Sequence, residues 1–326
     1  MFEISLKNNL KFSCSPQDSI LQGAEKSNVL LDHSCKIGRC KSCKAKAISG
    51  TTIAINEEVG LDCLEKKEGY ILTCVRQPTS DLVLDLEDLG QYTLSQKKTI
   101  PAKISKISKL STDVVMLQLR LPPSTKFWSL PGQYVNIIRK DIKRSYSVAN
   151  CRNTSSLEFF IKLNKGGEFS SYLFNEAKLN DLLRIEGPLG TFFLRESKQK
   201  YLIFMSTGTG IAPVKAILDE LELTKEVTTK IYLFWGGRKA SDLFWEPRYE
   251  FLDIEFVPVL SRASENWKGE IGYVQEVLIK KKYINLKESV VYACGSMAMI
   301  NSASDLLLQH GLNKSNFYSD TFISTN

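Results

Sequence analysis

Histidine is nearly absent from this chain. His33 and His310 are the only two among 326 residues. Histidine is the side chain most often used for general acid–base catalysis, and these two show no pattern that points to it. We therefore assign neither histidine a catalytic role.

Long apolar segments and basic tails are also missing. The first seven residues, MFEISLK, lack the apolar core of a signal peptide, and no later run approaches the roughly 18 apolar residues of a membrane span. The formal net charge of +7 is spread along the chain rather than gathered into one arm. The sequence therefore predicts a cytoplasmic protein that binds neither membrane nor nucleic acid.

Four of the eight cysteines have the spacing of an iron–sulfur site. Cys35, Cys40 and Cys43 form a C-x4-C-x2-C run, and Cys74 follows after a strand-like stretch. Thiols stay reduced in the cytoplasm, so spacing matters more than number, and this spacing is typical of plant-type two-iron, two-sulfur ferredoxins. A structural zinc site uses the same ligands but usually shows two C-x2-C pairs, so we predict a 2Fe-2S cluster held by these four residues.

Two features of the same segment have less specific interpretations. Cys14 and Cys63 lie outside the ligand spacing and are expected to be small buried residues. Five basic residues surround the ligand loop: Lys36, Arg39, Lys41, Lys44 and Lys46. This basic collar is either a solvated face or a surface that docks an acidic partner.

The pattern of apolar segments predicts a multidomain chain of α+β and α/β modules. Residues 1–90 alternate short strands with one helix, as in a β-grasp ferredoxin-like domain, and 91–99 read as a polar linker. Residues 100–196 show repeated strands with Gly, Pro and Asn turns, which favours an antiparallel FAD-binding β-barrel. In 197–326 strands alternate with helices, which favours a doubly wound parallel α/β nucleotide-binding domain.

One strand of the predicted barrel carries groups that suit a flavin. Arg144, Ser145, Tyr146 and Ser147 place a cation, an aromatic ring and two hydroxyls on alternate faces. At this motif the chain resembles the ferredoxin-NADP reductase superfamily, whose barrel strand carries R-x-Y-S. The resemblance implies that Arg144 pairs with the FAD pyrophosphate, Tyr146 packs on the flavin and Ser147 hydrogen-bonds near its N5.

Two glycine loops extend the resemblance. Gly167 and Ser170, in the segment GGEFS, match the superfamily's second phosphate loop. The segment TGTGIAP follows an apolar strand and opens a helix, which is the setting of a dinucleotide phosphate site, and it is similar to the superfamily's G-T-G-x-A-P loop. The cofactor contacts expected from this loop are Gly208, Thr209, Gly210 and Pro213.

The remaining site residues follow from the same resemblance. Cys294 and Gly295 are expected beside the nicotinamide, while Asp320 and Phe322 are expected to cover the flavin face. Ser147, Cys294 and Asp320 are then the expected catalytic residues. The nucleotide ribose is expected near Arg238, Ser261 and Arg262. These residues fit either nucleotide, and we expect NADH, with NADPH as the alternative.

Over most of its length the chain is similar to the CDP-6-deoxy-4-hexulose 3-dehydrase reductases of bacterial 3,6-dideoxyhexose synthesis. The similarity is densest in the segments RSYSVAN, IEGPLGTFF, YACGS and FYSD, although Lys41 stands where that family usually has glycine. It implies hydride transfer from NADH to FAD, then single electrons through the cluster to a pyridoxamine-phosphate-dependent dehydrase. The alternatives are an oxygenase reductase component and a non-catalytic iron–sulfur or zinc scaffold.

Overall fold

The computed structural model describes residues 1–125, 127–151, 155–225 and 229–322. The chain divides into two units, 1–94 and 95–326. The division lies within the stretch predicted as a linker, and strand β8 begins at Lys98, so the last two residues of that stretch are already part of a sheet.

The first unit has a mixed five-stranded sheet and a small two-stranded sheet. Its elements are β1 Phe2–Leu6, β2 Lys11–Cys14, α1 Ile20–Lys26, β3 Lys44–Ser49, β4 Thr52–Ala54, α2 Cys63–Lys67, β5 Tyr70–Leu72, β6 Arg76–Pro78 and β7 Leu82–Leu84. The strand order is β2-β1-β7-β3-β5, with β1 and β7 parallel, and β4 pairs with β6. Helix α1 begins at a capping box made by Ser19 and Gln22 and buries Ile20 and Leu21.

The sequence predicted one helix in this unit, and the structure adds a second, short one. Helix α2 begins at Asp62, whose side chain accepts a hydrogen bond from the Glu65 N–H. It buries no residue, so no apolar periodicity announced it. The expectation that Cys63 is buried is wrong, because Cys63 is exposed on α2, whereas Cys14 is fully buried.

The second unit begins with a six-stranded antiparallel sheet that has the barrel-like form expected of an FAD-binding domain. Its elements are β8 Lys98–Lys109, β9 Val114–Arg120, β10 Tyr134–Arg139, β11 Ile142–Ser147, β12 Ser156–Lys162, α3 Glu168–Asn175 and β13 Leu182–Leu189. The strand order is β11-β10-β13-β8-β9-β12. Alternate residues of β9 and β12 point into a core that includes Leu117, Leu119, Phe159 and Ile161.

The rest of the second unit is a six-stranded sheet whose pairs are all parallel. Its elements are β14 Tyr201–Thr207, α4 Ile211–Thr224, β15 Lys230–Gly237, β16 Ile254–Leu260, β17 Glu270–Ile271, α5 Val274–Lys280, β18 Ser289–Ser296, α6 Met297–Gln309 and β19 Phe317–Phe322. The order is β17-β16-β15-β14-β18-β19. Strands β14, β15 and β18 are buried along nearly their whole length, as expected of a sheet covered on both faces.

Ligands of open parallel sheets bind beyond the carboxyl ends of the strands. At that edge the register aligns Ser206 of β14 with Cys294 of β18, and Cys294 with Asp320 of β19. Paired residues of neighbouring strands share a face, so the sheet brings three polar side chains that are distant in sequence into one row. None of the described helices is both long and apolar enough to span a membrane.

Candidate functional site

The four cysteines predicted to bind the cluster lie in the first unit as two pairs. Cys40 Sγ accepts the Cys35 N–H at 3.4 Å, and the Cys43 and Cys74 thiols are near enough to shift each other's pKa values. Backbone N–H groups also point at the sulfurs: the Ile37 N–H donates to Cys35 Sγ at 3.5 Å. Two thiols on each side is the arrangement in which each iron of a two-iron cluster takes two protein ligands.

The hydrogen bonds within the pairs divide the four thiols into two kinds. The bond from Cys40, helped by backbone N–H groups, lowers the pKa of the Cys35 thiol to about 6, and the bond from Cys43 lowers the pKa of Cys74. The same bonds, together with burial, raise the pKa values of Cys40 and Cys43. In each pair one thiol therefore has a lower pKa than the other, and the thiolate is the form that ligates iron.

The described residues contain no group of three or more His, Cys, Asp or Glu side chains arranged around a single metal ion. Four cysteine thiols in two pairs are the donor set of a 2Fe-2S cluster, so these residues fit that group.

The ligand loop contains backbone conformations that few residues adopt. Lys41 has φ of 62° and Gly38 has φ of 76°, so both lie in the left-handed region. A Cβ on Gly38 would stand 2.7 Å from the Glu57 carbonyl oxygen, so this position has no space for a side chain. Lys41 occupies a conformation that glycine adopts without strain, which is consistent with the glycine that the family resemblance leads us to expect at this place.

Glu58 is a buried residue beside the cluster loop that the sequence analysis missed. Its carboxylate accepts the Leu72 N–H at 2.8 Å and binds the Arg76 guanidinium at 2.6 and 3.0 Å. Leu72 and Arg76 lie two residues before and after Cys74, so Glu58 holds both sides of that ligand. A glutamate in a loop carries no periodic signal, and only the fold shows that its side chain is buried.

Three lysines of the basic collar have acidic partners. Lys36 Nζ lies 2.5 Å from Glu25 Oε1, and Glu65 accepts from Lys41 at 3.0 Å and from Lys44 at 2.7 Å. Two carboxylates therefore offset two of the collar's five positive charges within the first unit. The remaining charge is compatible with either a solvated face or a docking surface.

The flavin motif lies on the edge strand β11 in the predicted alternation. Arg144 and Tyr146 are half-buried on one face, and Ser147, on the other face, is buried. Arg144 donates to the Lys143 carbonyl and has no acidic partner among the described residues, so its charge is available for a phosphate. Ser145 donates to Asn136 Oδ1 at 2.7 Å, and burial raises the pKa of the Tyr146 phenol above its usual value.

The second phosphate loop leads into helix α3 with free amides at its start. Gly167 caps the helix without a side-chain hydrogen bond, and a Cβ at the preceding Gly166 would meet nothing within 4 Å. The Ser170 hydroxyl is buried and bonds inside the loop, to Gly167 O at 3.0 Å. Open space and unpartnered amides at a helix start fit an anion such as the FAD pyrophosphate, whereas Ser170 supports the loop.

The predicted nucleotide loop lies between β14 and α4. Gly208, Thr209 and Gly210 form one 3₁₀ turn, and Pro213 is buried in the first turn of α4. Gly208 has φ of 54° and open space around its Cβ position, whereas a Cβ on Gly210 would stand 2.3 Å from the Cys294 carbonyl oxygen. Gly208 therefore leaves room for a phosphate, and Gly210 permits close packing of the loop on the end of β18.

The expected catalytic residues lie at the carboxyl ends of β18 and β19 and the end of β11. Ser147 Oγ lies 3.5 Å from Asp320 Oδ2, so the barrel strand and the parallel sheet meet there. Cys294 is fully buried, and burial, then the nearby Asp320 charge, raises the pKa of its thiol well above the usual value. The thiol therefore stays protonated. The partly buried Phe322 packs against the core that contains Cys294.

Gly295 follows Cys294 with φ of 149° and leaves no room for a side chain, because a Cβ would stand 2.2 Å from Thr207 Oγ1. A nicotinamide can contact the Cys294 sulfur only if side chains packed around it move. The structure thus brings these residues together but leaves the thiol covered.

The residues expected near the nucleotide ribose lie together at the ends of β15 and β16. The Arg262 N–H donates to Arg238 O at 2.9 Å, and the Ser261 N–H donates to Gly237 O at 3.0 Å. The side chains of Arg238, Ser261 and Arg262 are exposed. Neither arginine has an acidic partner within the described residues, so both charges are available for a phosphate group.

The amino-acid sequence matches three protein families in the order of these modules. Residues 5–79 match the 2Fe-2S iron-sulfur cluster binding domain, 101–194 the oxidoreductase FAD-binding domain, and 204–305 the oxidoreductase NAD-binding domain. The cysteine loop, the flavin strand and the nucleotide loop each lie inside the corresponding match. Strand β19, which carries Asp320 and Phe322, lies beyond the end of the third match.

Known proteins are similar to this chain along nearly its whole length. A CDP-6-deoxy-L-threo-D-glycero-4-hexulose-3-dehydrase reductase from Yersinia pestis is 38% identical over 317 residues, which cover 96% of this chain and 95% of that protein. The xylene/toluene monooxygenase electron transfer component of Pseudomonas putida is 31% identical over 325 residues, which cover 96% of this chain and 91% of that protein. The solved structure of an Amycolatopsis cytochrome P450 reductase shares the fold, with a TM-score of 0.75, 23% identity and 99% of each chain covered.

Proposed function

The chain belongs to the CDP-6-deoxyhexulose-3-dehydrase reductase family, within the ferredoxin-NADP reductase superfamily, and we propose that its electron acceptor is a dehydrase acting on a CDP-linked 6-deoxy-4-hexulose. It is an electron-transfer reductase with 2Fe-2S, FAD-binding and NAD-binding domains. The proposed acceptor uses pyridoxamine phosphate and works in 3,6-dideoxyhexose synthesis in the cytoplasm. The observation that carries this proposal is the 38% identity along nearly the whole of both chains.

The residues around the predicted sites support particular roles in this function. Bound FAD would supply the chemistry that accepts a hydride from a nicotinamide and releases electrons one at a time to an iron–sulfur centre. Arg144 and the amides at the start of α3 would hold its pyrophosphate. Ser147 would keep its hydroxyl proton directed at the Asp320 carboxylate, which leaves the hydroxyl oxygen free to accept a hydrogen bond.

The nucleotide would bind along the carboxyl edge of the parallel sheet. The Gly208–Gly210 turn would take its phosphates, while Arg238, Ser261 and Arg262 would lie near its ribose. We propose NADH as the donor, with NADPH as the alternative. Cys294, as a protonated thiol, would form part of the surface on which the nicotinamide stacks, and Asp320 and Phe322 would close the site from β19.

The acceptor is tested by NADH oxidation with purified candidate partners. The dehydrase assay is anaerobic, whereas the oxygenase assay contains its substrate and dioxygen, the oxidant that an oxygenase consumes, and is compared with the reductase alone. We expect the CDP-hexulose dehydrase, loaded with its substrate, to accelerate NADH consumption at micromolar concentration. An aromatic-ring or alkyl oxygenase component is the second candidate, favoured by the 31% identity to the monooxygenase electron transfer component. Acceleration by the oxygenase alone would overturn the proposal. A purified protein that retains no FAD and no iron would instead favour a non-catalytic scaffold.

The cluster ligands are tested by a pair of cysteine variants. Cys74→Ser should lower the rate of electron delivery to any protein acceptor by at least roughly 10–100-fold. Loss of a residue that only hydrogen-bonds to a metal ligand already costs that much, and this variant loses a predicted ligand itself. NADH should still bleach the flavin of this variant. Cys63→Ser is the control, since Cys63 is exposed on α2 and outside the ligand set, and it should transfer electrons at the parental rate. Equal rates of electron delivery in Cys74→Ser and Cys63→Ser would contradict the assignment of Cys74 as a cluster ligand.

A further inference from the structure

Lys215 joins the predicted nucleotide-binding helix to the predicted flavin-binding strand. It lies on α4, and its side chain is only 17% exposed. Its Nζ donates to the Ala149 carbonyl oxygen at 3.1 Å and to Asp219 Oδ2 at 2.8 Å, and it lies 3.5 Å from Glu158 Oε1. An ammonium group has three N–H donors, so these three oxygens can engage all of them.

On the barrel side, Lys215 contacts a segment that is itself firmly held. Ala149 is fully buried and lies two residues after Ser147. Its N–H donates to the Glu158 carbonyl oxygen at 2.7 Å, so the carbonyl and the carboxylate that Lys215 contacts belong to two segments already bonded to each other. The position of Lys215 Nζ therefore reports directly on the position of the chain that leaves Ser147.

On the helix side, a second contact fixes the lysine. Asp219 lies one turn after Lys215, and its other oxygen accepts a hydrogen bond from the Tyr249 hydroxyl at 2.8 Å. Because Asp219 is held from both sides, the lysine has little freedom to leave the barrel. Lys215 itself lies one turn after Ile211, where α4 begins directly beyond the Gly208–Gly210 turn.

We propose that Lys215 is a positioning residue for hydride transfer, because it sets the distance between the flavin strand that ends at Ser147 and the nucleotide loop that opens α4. Hydride transfer needs its donor and acceptor atoms within about 3–3.5 Å, and a misplacement of about 1 Å can cost roughly 100-fold in rate. A buried cation with contacts to both sides resists such a displacement more than apolar packing alone does. The proposal concerns transfer inside this chain and does not depend on which protein accepts the electrons.

The test compares Lys215→Met with a charge-balanced double variant. Lys215→Met keeps most of the side-chain volume but removes the cation from the Asp219 carboxylate on its own helix and, on the barrel side, from the Glu158 carboxylate, so part of its effect is lost stability. Lys215→Met combined with Glu158→Gln removes that carboxylate and should recover stability. Lys281→Met is the matched control, since Lys281 is a similarly covered lysine, 24% exposed, whose Nζ pairs with Glu270 Oε1 at 2.7 Å within the parallel-sheet module.

Two measurements decide the matter. In anaerobic stopped-flow experiments, the double variant should reduce its flavin at least about tenfold more slowly than the parent, with nucleotide affinity changed by less than about threefold. In flavin-free protein, hydrogen exchange should be faster at Ala149 in both Lys215 variants and unchanged in Lys281→Met. Parental rates of flavin reduction in the double variant, or unchanged exchange at Ala149, would overturn the proposal.

Discussion

Glu58 offers a direct test of how the protein holds the fourth cluster ligand. Its side chain is 3% exposed and receives three hydrogen bonds, one from the Leu72 N–H and two from the Arg76 guanidinium. We expect Glu58→Gln to destabilise the first unit and to release iron faster. The reason is that the segment from Leu72 to Arg76 carries Cys74 and loses the anion that holds it at both ends.

The size of the effect follows from the burial of the two partners. Removing one member of a fully buried ion pair costs about 3–5 kcal/mol. Arg76 is 21% exposed and also contacts Thr52 at 3.3 and 3.4 Å, so part of its charge stays solvated and bonded. Glutamine keeps the volume and one acceptor oxygen. We therefore expect Glu58→Gln to lower the free energy of unfolding by about 2 kcal/mol, a value between the cost of losing one charged hydrogen bond and that of breaking a fully buried ion pair.

The measurement is urea unfolding of the anaerobic protein followed by the visible circular dichroism of the iron–sulfur centre. Glu57→Gln is the matched control, because Glu57 is the exposed neighbour and its substitution should change stability by less than about 0.5 kcal/mol. Combining Glu58→Gln with Arg76→Gln should cost clearly less than the sum of the two single changes. Equal midpoints for Glu57→Gln and Glu58→Gln would refute the reasoning.

Two further outcomes are expected. Ser206 and Ser289 are both fully buried, but among the described residues Ser206 Oγ has no hydrogen-bond partner, whereas Ser289 Oγ donates to Asn285 O at 2.7 Å. In thermal unfolding, Ser206→Ala should therefore leave the protein equally stable or stabilise it by about 1 kcal/mol, and Ser289→Ala should destabilise it by about 1–2 kcal/mol. Effects of the same sign would contradict this. Burial alone would raise the pKa of Glu65, but hydrogen bonds, led by that from Lys44, lower it to about 2. The contribution of the Glu65 carboxylate to folding stability is therefore complete above its ordinary pKa of 4.5, and it is lost as pH falls toward 2. The stability advantage of the parent over Glu65→Gln should shrink over that range. An advantage that grows on acidification would contradict this.

The sequence by itself determined the modules and most of the candidate residues, because these depend on spacing along the chain. The C-x4-C-x2-C run and Cys74 predicted the iron–sulfur unit, and the TGTGIAP segment predicted a turn between a strand and a helix. Buried parallel strands appear in sequence as apolar runs, so the α/β module was equally legible. The exposed helix α2 was missed, because without a buried face it has no periodicity.

Only the tertiary structure decided which side chains act on one another across these modules. Glu58 lies in a loop without periodicity, and the patterns of β14 and α4 do not show which partners Ser206 lacks or Lys215 has. Glu58 binds residues 14 and 18 positions away, and Lys215 binds a carbonyl 66 positions away. Hydrogen bonds and ion pairs depend on distance in space to within a fraction of an ångström. Strand register and helix packing set that distance, and local sequence does not encode them.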